Sequence, residues 1–213
     1  MKVYHTETLK NEAYGEIASL LRSGGVIAFP TDTAYGLGAD PFNDAAIDRI
    51  FQIKGRPDTK AILLVVSSIE MAKTVVEPSA VFDAVAKRFW PGPLTVILPA
   101  LESVPSKVTA GTQTVGVRWP VAEFATTLAK HLGTPITATS ANRSGLPAAI
   151  TAAEVRAQLD ESPDALVDGG ELSSRGGSTV LDLTTDTPWL LREGPISFET
   201  LQQFFEGTVR RQA

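Results

Sequence analysis

Hydrophobic positions along this chain alternate between two periods. Residues 12–21 place Ala13, Ile17, Leu20 and Leu21 on one face. That spacing predicts an amphipathic helix, which Ser23-Gly24-Gly25 stops. Residues 26–29 are a short unbroken apolar run, as in a strand covered on both faces. Pro30 ends the run, having no N–H for a ladder. Asn43 or Asp44 caps the next helix, with Ile47, Ile50 and Phe51 inward, and Gly55 and Pro57 break it. Residues 62–66 read as a second buried strand. Ser79 caps a helix that turns Val81, Phe82, Val85 and Phe89 inward, and Trp90-Pro91-Gly92-Pro93 is a rigid structural turn.

Further on, the pattern predicts strands at 94–98, 114–118 and 135–139, a helix at 123–132 and a polar connection over 99–111. Thr151 caps a short helix, and strands at 165–167 and 178–183 flank Asp168-Gly169-Gly170. A strand at 189–192 and a helix at 197–205 complete the series, and 207–213 is expected to fray. Interleaved strands and helices without a repeat or linker predict one α/β domain over 1–213, with helices on a mixed sheet. Ligands bind such sheets at strand C-termini. Thr31 to Thr33, Arg118 and Ser140 to Asn142 all follow predicted strand ends, so three strands converge on one cleft.

Composition narrows the chemistry. Of 213 residues, 43% are hydrophobic, enough for a substantial core. The net charge of −5 argues against nucleic-acid binding by bulk charge. The absence of cysteine excludes disulfides, thiolate metal sites and thiol catalysis. With His5 and His131 the only histidines, Ser-His-Asp catalysis and multi-histidine metal sites are disfavoured. No apolar run is long enough to span a membrane, the N-terminus lacks a signal pattern, and a cytoplasmic location is expected.

The standard nucleotide signatures are missing: there is neither a P-loop nor a Gly-x-Gly-x-x-Gly opening a helix. Each candidate motif has a plain reading beside a functional one. Thr31-Asp32-Thr33 is either a capped turn or a set of hydroxyls and N–H groups for a small polar ligand. Lys54-x-Arg56 is either a solvated helix C-terminus or an anion clamp that Lys60 extends. Ser140-x-Asn142 is either a turn or a pair of phosphate or ribose contacts. Arg118 either reaches solvent or a ligand carboxylate, and Arg192 either pairs with Glu193 or serves the site.

Together these motifs, in this order, resemble the YrdC/TsaC family of threonylcarbamoyl-AMP synthases. The matching stretches are Gly24-Gly25-Val26-Ile27-Ala28-Phe29-Pro30-Thr31-Asp32-Thr33-Ala34-Tyr35-Gly36-Leu37-Gly38, Lys54-Gly55-Arg56-Pro57, Phe89-Trp90-Pro91-Gly92-Pro93-Leu94-Thr95, Val115-Gly116-Val117-Arg118 and Ala138-Thr139-Ser140-Ala141-Asn142-Arg143-Ser144-Gly145. Ser178-Thr179-Val180 and Leu191-Arg192-Glu193-Gly194 extend the match, which covers about 15–196 and looks like the family's short form.

The resemblance implies a twisted mixed sheet flanked by helices around a concave basic cleft. It also implies synthesis of L-threonylcarbamoyl-AMP and pyrophosphate from ATP, L-threonine and bicarbonate or CO2, the first step of tRNA t6A modification. Mg2+ accompanies the ATP, and no metal site is assigned to protein side chains. Position by position, Lys54 and Arg56 match the catalytic phosphate contacts. Lys60, Thr114, Ser140, Asn142, Ser178 and Arg192 match further ATP contacts. Thr33, Arg118, Val65 and Ala138 fall in the threonine site. Lys60-Ala61-Ile62 replaces the common Asn-Pro-Leu, and Val65 stands where many members carry a histidine, which leaves the shape of the threonine pocket open. Hand-off to a tRNA threonylcarbamoyl transferase complex and weak RNA binding are implied partners. The loops at 31–38 and 169–177 are candidate lids. A carbamoyl transferase using the same cleft, or a non-catalytic RNA-binding protein, are the alternatives.

Overall fold

The computed structural model describes residues 1–55, 60–173 and 177–211. The strands are β1 (Lys2–His5), β2 (Ile27–Pro30), β3 (Tyr35–Gly38), β4 (Leu64–Val65), β5 (Leu94–Pro99), β6 (Thr114–Arg118), β7 (Ile136–Thr137), β8 (Thr139–Ser140), β9 (Ala165–Asp168), β10 (Thr179–Asp182), β11 (Trp189–Arg192) and β12 (Arg210–Arg211). The helices are α1 (Asn11–Arg22), α2 (Asp44–Lys54), α3 (Ile69–Ala72), α4 (Ala80–Phe89), α5 (Ser106–Thr109), α6 (Glu123–Leu132), α7 (Ala152–Gln158) and α8 (Phe198–Phe204).

The strands form two mixed sheets where one was expected. The five-stranded sheet runs β1-β9-β2-β3-β8 and the seven-stranded sheet runs β12-β11-β10-β5-β6-β4-β7. The reason lies in residues 136–140. β7 pairs antiparallel to β4 in the larger sheet, whereas β8 pairs antiparallel to β3 in the smaller. Between them the Ala138 N–H donates to the Leu63 carbonyl at 2.8 Å, and the Thr137 N–H donates to the Ala39 carbonyl at 3.0 Å. One stretch therefore passes from sheet to sheet without a turn between, and the candidate site forms at that passage.

Side chains set the helix starts as anticipated. Asn43 accepts from the Ala46 N–H at the head of α2, and Ser79 and Thr151 do the same for α4 and α7. Ile47, Ile50 and Phe51 are buried on α2. On α4, Phe82, Val85 and Phe89 are buried but Val81 is 48% exposed. It falls one position off the 3.6-residue stripe.

Two readings of connections need correction. Residues 31–38 do not form a free lid, because Tyr35–Gly38 is a fully buried strand paired with β2 and β8. A side chain at Gly38 would place its Cβ 2.7 Å from the Phe29 ring and 3.0 Å from Ile136. Glycine is there for close approach, although its propensity reads as loop. Residues 209–211 are also placed, since Val209 is buried and β12 pairs in parallel with β11, while residues 212–213 of the expected frayed tail lie outside the described residues. Among the described residues no helix is long and apolar enough to cross a membrane.

Candidate functional site

A cavity of about 330 Å³ opens where the two sheets meet. Thr31, Thr33, Ala34, Tyr35 and Gly36 reach it from the β2–β3 turn and β3. Val65 of β4, Thr95 of β5 and Arg118 at the end of β6 enter from the larger sheet, with Ser178 just before β10 and Arg192 closing β11. Ala138, Thr139 and Ser140 line it from the passage between sheets. The volume lies at the low end of the range for small-molecule sites.

Its polar end is built around Arg118, which is only 3% exposed. Arg118 Nε donates to the Gly92 carbonyl at 3.1 Å, so the Trp90-Pro91-Gly92-Pro93 turn serves as its buttress. Nη1 donates to Thr33 Oγ1 at 3.0 Å, and Nη2 to Asp32 Oδ2 at 2.6 Å. A guanidinium carries five N–H donors. Among the described residues three are engaged, which leaves one on each terminal nitrogen, and that pair suits a carboxylate. Burial works against the Arg118 charge, Asp32 opposes that effect, and the like charge of Arg192 adds to it.

The turn that presents Thr33 is fixed locally. Thr31 Oγ1 donates to the Ala34 carbonyl at 2.7 Å and accepts from the N–H groups of Thr33 and Ala34. Buried Tyr35 anchors the neighbouring loop. Its hydroxyl donates to the Gly170 carbonyl at 2.8 Å and accepts from the Gly169 N–H at 2.9 Å. Burial pushes the phenol up to about 12.

Beside Arg118 across the β5–β6 ladder, Thr95 shares a hydroxyl–hydroxyl hydrogen bond of 2.6 Å with Ser178. Arg192 Nε donates to the Ser178 carbonyl at 2.9 Å, and Nη2 to Ser178 Oγ at 3.3 Å. The guanidinium packs over Gly177, where an added Cβ would lie 3.0–3.3 Å from it. Gly177 has φ +70°, so only a residue without a side chain fits comfortably there. Burial holds the Arg192 guanidinium below its ordinary pKa.

The sequence-predicted residues divide accordingly. Thr33, Arg118, Val65, Ala138, Ser140, Ser178 and Arg192 share the cavity. Lys54 and Asn142 stand behind its wall. Lys54, 3% exposed, sends its ammonium to the Ser140 carbonyl and, at 2.9 Å, to the Asn142 carbonyl. Asn142 Nδ2 donates to the carbonyls of Arg143 and Leu146. Both residues therefore shape the loop after β8. Thr114 sits at the far end of β6 from Arg118, bonded to Thr112 at 2.9 Å. Lys60 is exposed and does not line the cavity. Arg56 lies outside the described residues.

Sequence reading missed Asp32 as a partner of Arg118, and Tyr35 and Thr95 as cavity residues. Tyr35 and Thr95 stood inside quoted motifs, and only pairing across strands reveals their roles. Among the described residues, no three His, Asp or Glu side chains cluster closely enough to hold a metal ion.

Comparison with known proteins places this geometry in a family. The Sua5/YciO/YrdC family model, described as "Telomere recombination", matches residues 19–194. Proteins named threonylcarbamoyl-AMP synthase are similar in sequence. That of Pyrococcus abyssi is 41% identical over 197 residues, covering 91% of this chain and 57% of the relative. That of Bacillus subtilis is 40% identical, covering 88% and 55%. That of Thiobacillus denitrificans is 41% identical, covering 78% and 88%. This chain thus spans little more than half the length of the first two. Among solved structures, P. abyssi Sua5 complexed with L-threonine has a TM-score of 0.92 at 38% identity, over all of this chain and 63% of that one. Escherichia coli YciO has a TM-score of 0.81 at 29% identity, covering 91% and 95%. With 176 of its 213 residues under that family model, the chain belongs to the Sua5/YciO/YrdC family.

Proposed function

We propose that this chain makes L-threonylcarbamoyl-AMP and pyrophosphate from ATP, L-threonine and bicarbonate or CO2, as a nucleotidyltransferase of the cytoplasm. The observation that carries the reading is the convergence of two arginines on one cavity, Arg118 bonded to Thr33 and Arg192 bonded to Ser178. Its similarity to threonylcarbamoyl-AMP synthases, and the L-threonine in the P. abyssi Sua5 complex, support it.

In this reading the free N–H groups of Arg118 hold the threonine carboxylate, and Thr33 fixes the guanidinium beside it. Val65 and Ala138 form the wall along the amino-acid side chain. Arg192, set over Gly177 and Ser178, meets the phosphates. The threonine amine attacks CO2 and loses a proton to give a carbamate. A carbamate oxygen then attacks the α-phosphorus of ATP as the bond to the β-phosphate oxygen breaks and pyrophosphate leaves. No side-chain nucleophile is required, so catalysis rests on positioning and on stabilising charge at the transferring group. Mg2+ would arrive on the polyphosphate, since the described residues supply no cluster of ligands for it. Lys54 acts by holding the carbonyls of Ser140 and Asn142, and so the wall that Ser140 presents. The product would pass to a tRNA-modifying transferase.

Pyrophosphate release is the test. It should require ATP and L-threonine together. Release with ATP alone, or equal release with every amino acid, would refute the assignment.

A further inference from the structure

Arg118 is a buried cation with an incomplete set of neutral partners. Gly92 offers a backbone carbonyl and Thr33 a hydroxyl. The next charged group it feels besides Asp32 is Arg192, of the same sign. Asp32 is therefore the carboxylate that makes burial of this guanidinium tolerable. It also grips one terminal nitrogen at 2.6 Å, while its other oxygen is buried with no hydrogen-bond partner among the described residues. Asp32 is not a cavity-lining residue. Its side chain is 20% exposed and sits on the Thr31–Ala34 turn that Thr31 locks.

A guanidinium presents a carboxylate with two parallel N–H bonds only when its plane is fixed. Gly92 and Thr33 hold Nε and Nη1 through neutral oxygens, and Asp32 adds at Nη2 the shortest contact and the one salt bridge that Arg118 makes among the described residues. We propose that Asp32 is a positioning residue that completes the hold on Arg118 and thereby decides how tightly the site holds the carboxylate of its amino-acid substrate. The proposal rests on the reading of Arg118 as the carboxylate site. It sets position against charge. Removing the negative charge of Asp32 leaves the pocket more positive, which by itself favours an anion. Position wins if affinity for the amino acid falls instead.

The test compares Asp32→Ala, Asp32→Asn and Asp32→Glu with the unaltered protein. KM is measured for L-threonine and for ATP, and L-threonine affinity by titration calorimetry. Asp32→Ala should raise KM for threonine roughly ten- to a hundredfold with KM for ATP within about twofold, in line with the effect of small misplacements. Asp32→Asn should give a smaller rise, and Asp32→Glu should recover part of the loss. The preference for threonine over its carboxamide should shrink in Asp32→Ala. If Asp32→Ala fails to fold, the Asn and Glu variants carry the same comparison. Unchanged or tighter threonine binding in Asp32→Asn overturns the proposal, as does an equal rise in both KM values. Absence of threonine-dependent turnover in the unaltered protein overturns the functional reading as well, which separates the two failures.

Discussion

Lys54 offers the sharpest test of how the site is built. Methionine at this position keeps a long unbranched stem and removes the ammonium. The bonds lost include those to the buried Asn142 carbonyl at 2.9 Å, to the Ser140 carbonyl and, at 3.5 Å, to Ser140 Oγ. Each hydrogen bond to a charged group contributes about 1.5–3 kcal/mol. Removing a buried ammonium returns part of that through relieved desolvation, so Lys54→Met should destabilise the fold by about 2–4 kcal/mol. For a chain of this size the melting temperature should fall roughly 4–16 °C. Scanning calorimetry reads the shift, and hydrogen exchange at residues 140–146 should rise with it, because the ammonium holds this loop onto α2 together with the bond from the Ser144 N–H to the Lys54 carbonyl at 3.0 Å. A variant that melts within about 2 °C of the unaltered protein yet loses activity would refute the reasoning. The Lys54 ammonium would then act on phosphates and not on the loop.

How far the sequence could lead is clearest at this residue. The resemblance marked Lys54-x-Arg56 and Ser140-x-Asn142 as phosphate contacts, and in the structure the Lys54 ammonium meets the Ser140–Asn142 loop. What could not be read was that the lysine meets backbone carbonyls, since a pattern of side chains carries no information on carbonyl direction. The caps at Asn43, Ser79 and Thr151 were legible because they are local. β3 was not, because Gly36 and Gly38 favour a turn and only close packing against Phe29 explains the glycine at 38. β1 and β12 are edge strands whose existence depends on pairing with β9 and β11. The Asp32–Arg118 pair spans 86 residues of sequence, and proximity along the chain gives no hint of it.

Other outcomes follow from the same geometry. Gly177→Ala puts a Cβ against the Arg192 guanidinium in a left-handed backbone, so KM for ATP should rise on the order of tenfold with KM for threonine unchanged. Equal effects on both substrates would contradict the placement of Arg192. Ala138→Leu fills the cavity wall and should weaken threonine use roughly 10–200-fold without lowering the melting temperature. Tyr35 titrates near 12 in the fold against about 10 when unfolded, so its contribution is complete below pH 10 and is lost as pH rises to 12. The stability advantage of the unaltered protein over Tyr35→Phe should therefore shrink by on the order of 2 kcal/mol between pH 10 and 12. A constant difference in chemical denaturation across that range would place the phenol in a solvated setting.

The central claim is that one cavity joins a threonine-derived carbamate to the α-phosphorus of ATP. Incubation with ATP, L-threonine and isotopically labelled bicarbonate, followed by mass spectrometric identification of the nucleotide product, addresses it directly. Threonylcarbamoyl-AMP carrying the bicarbonate label should form one-to-one with pyrophosphate. An adenylate without that label, or pyrophosphate released without any threonine-containing product, would contradict it.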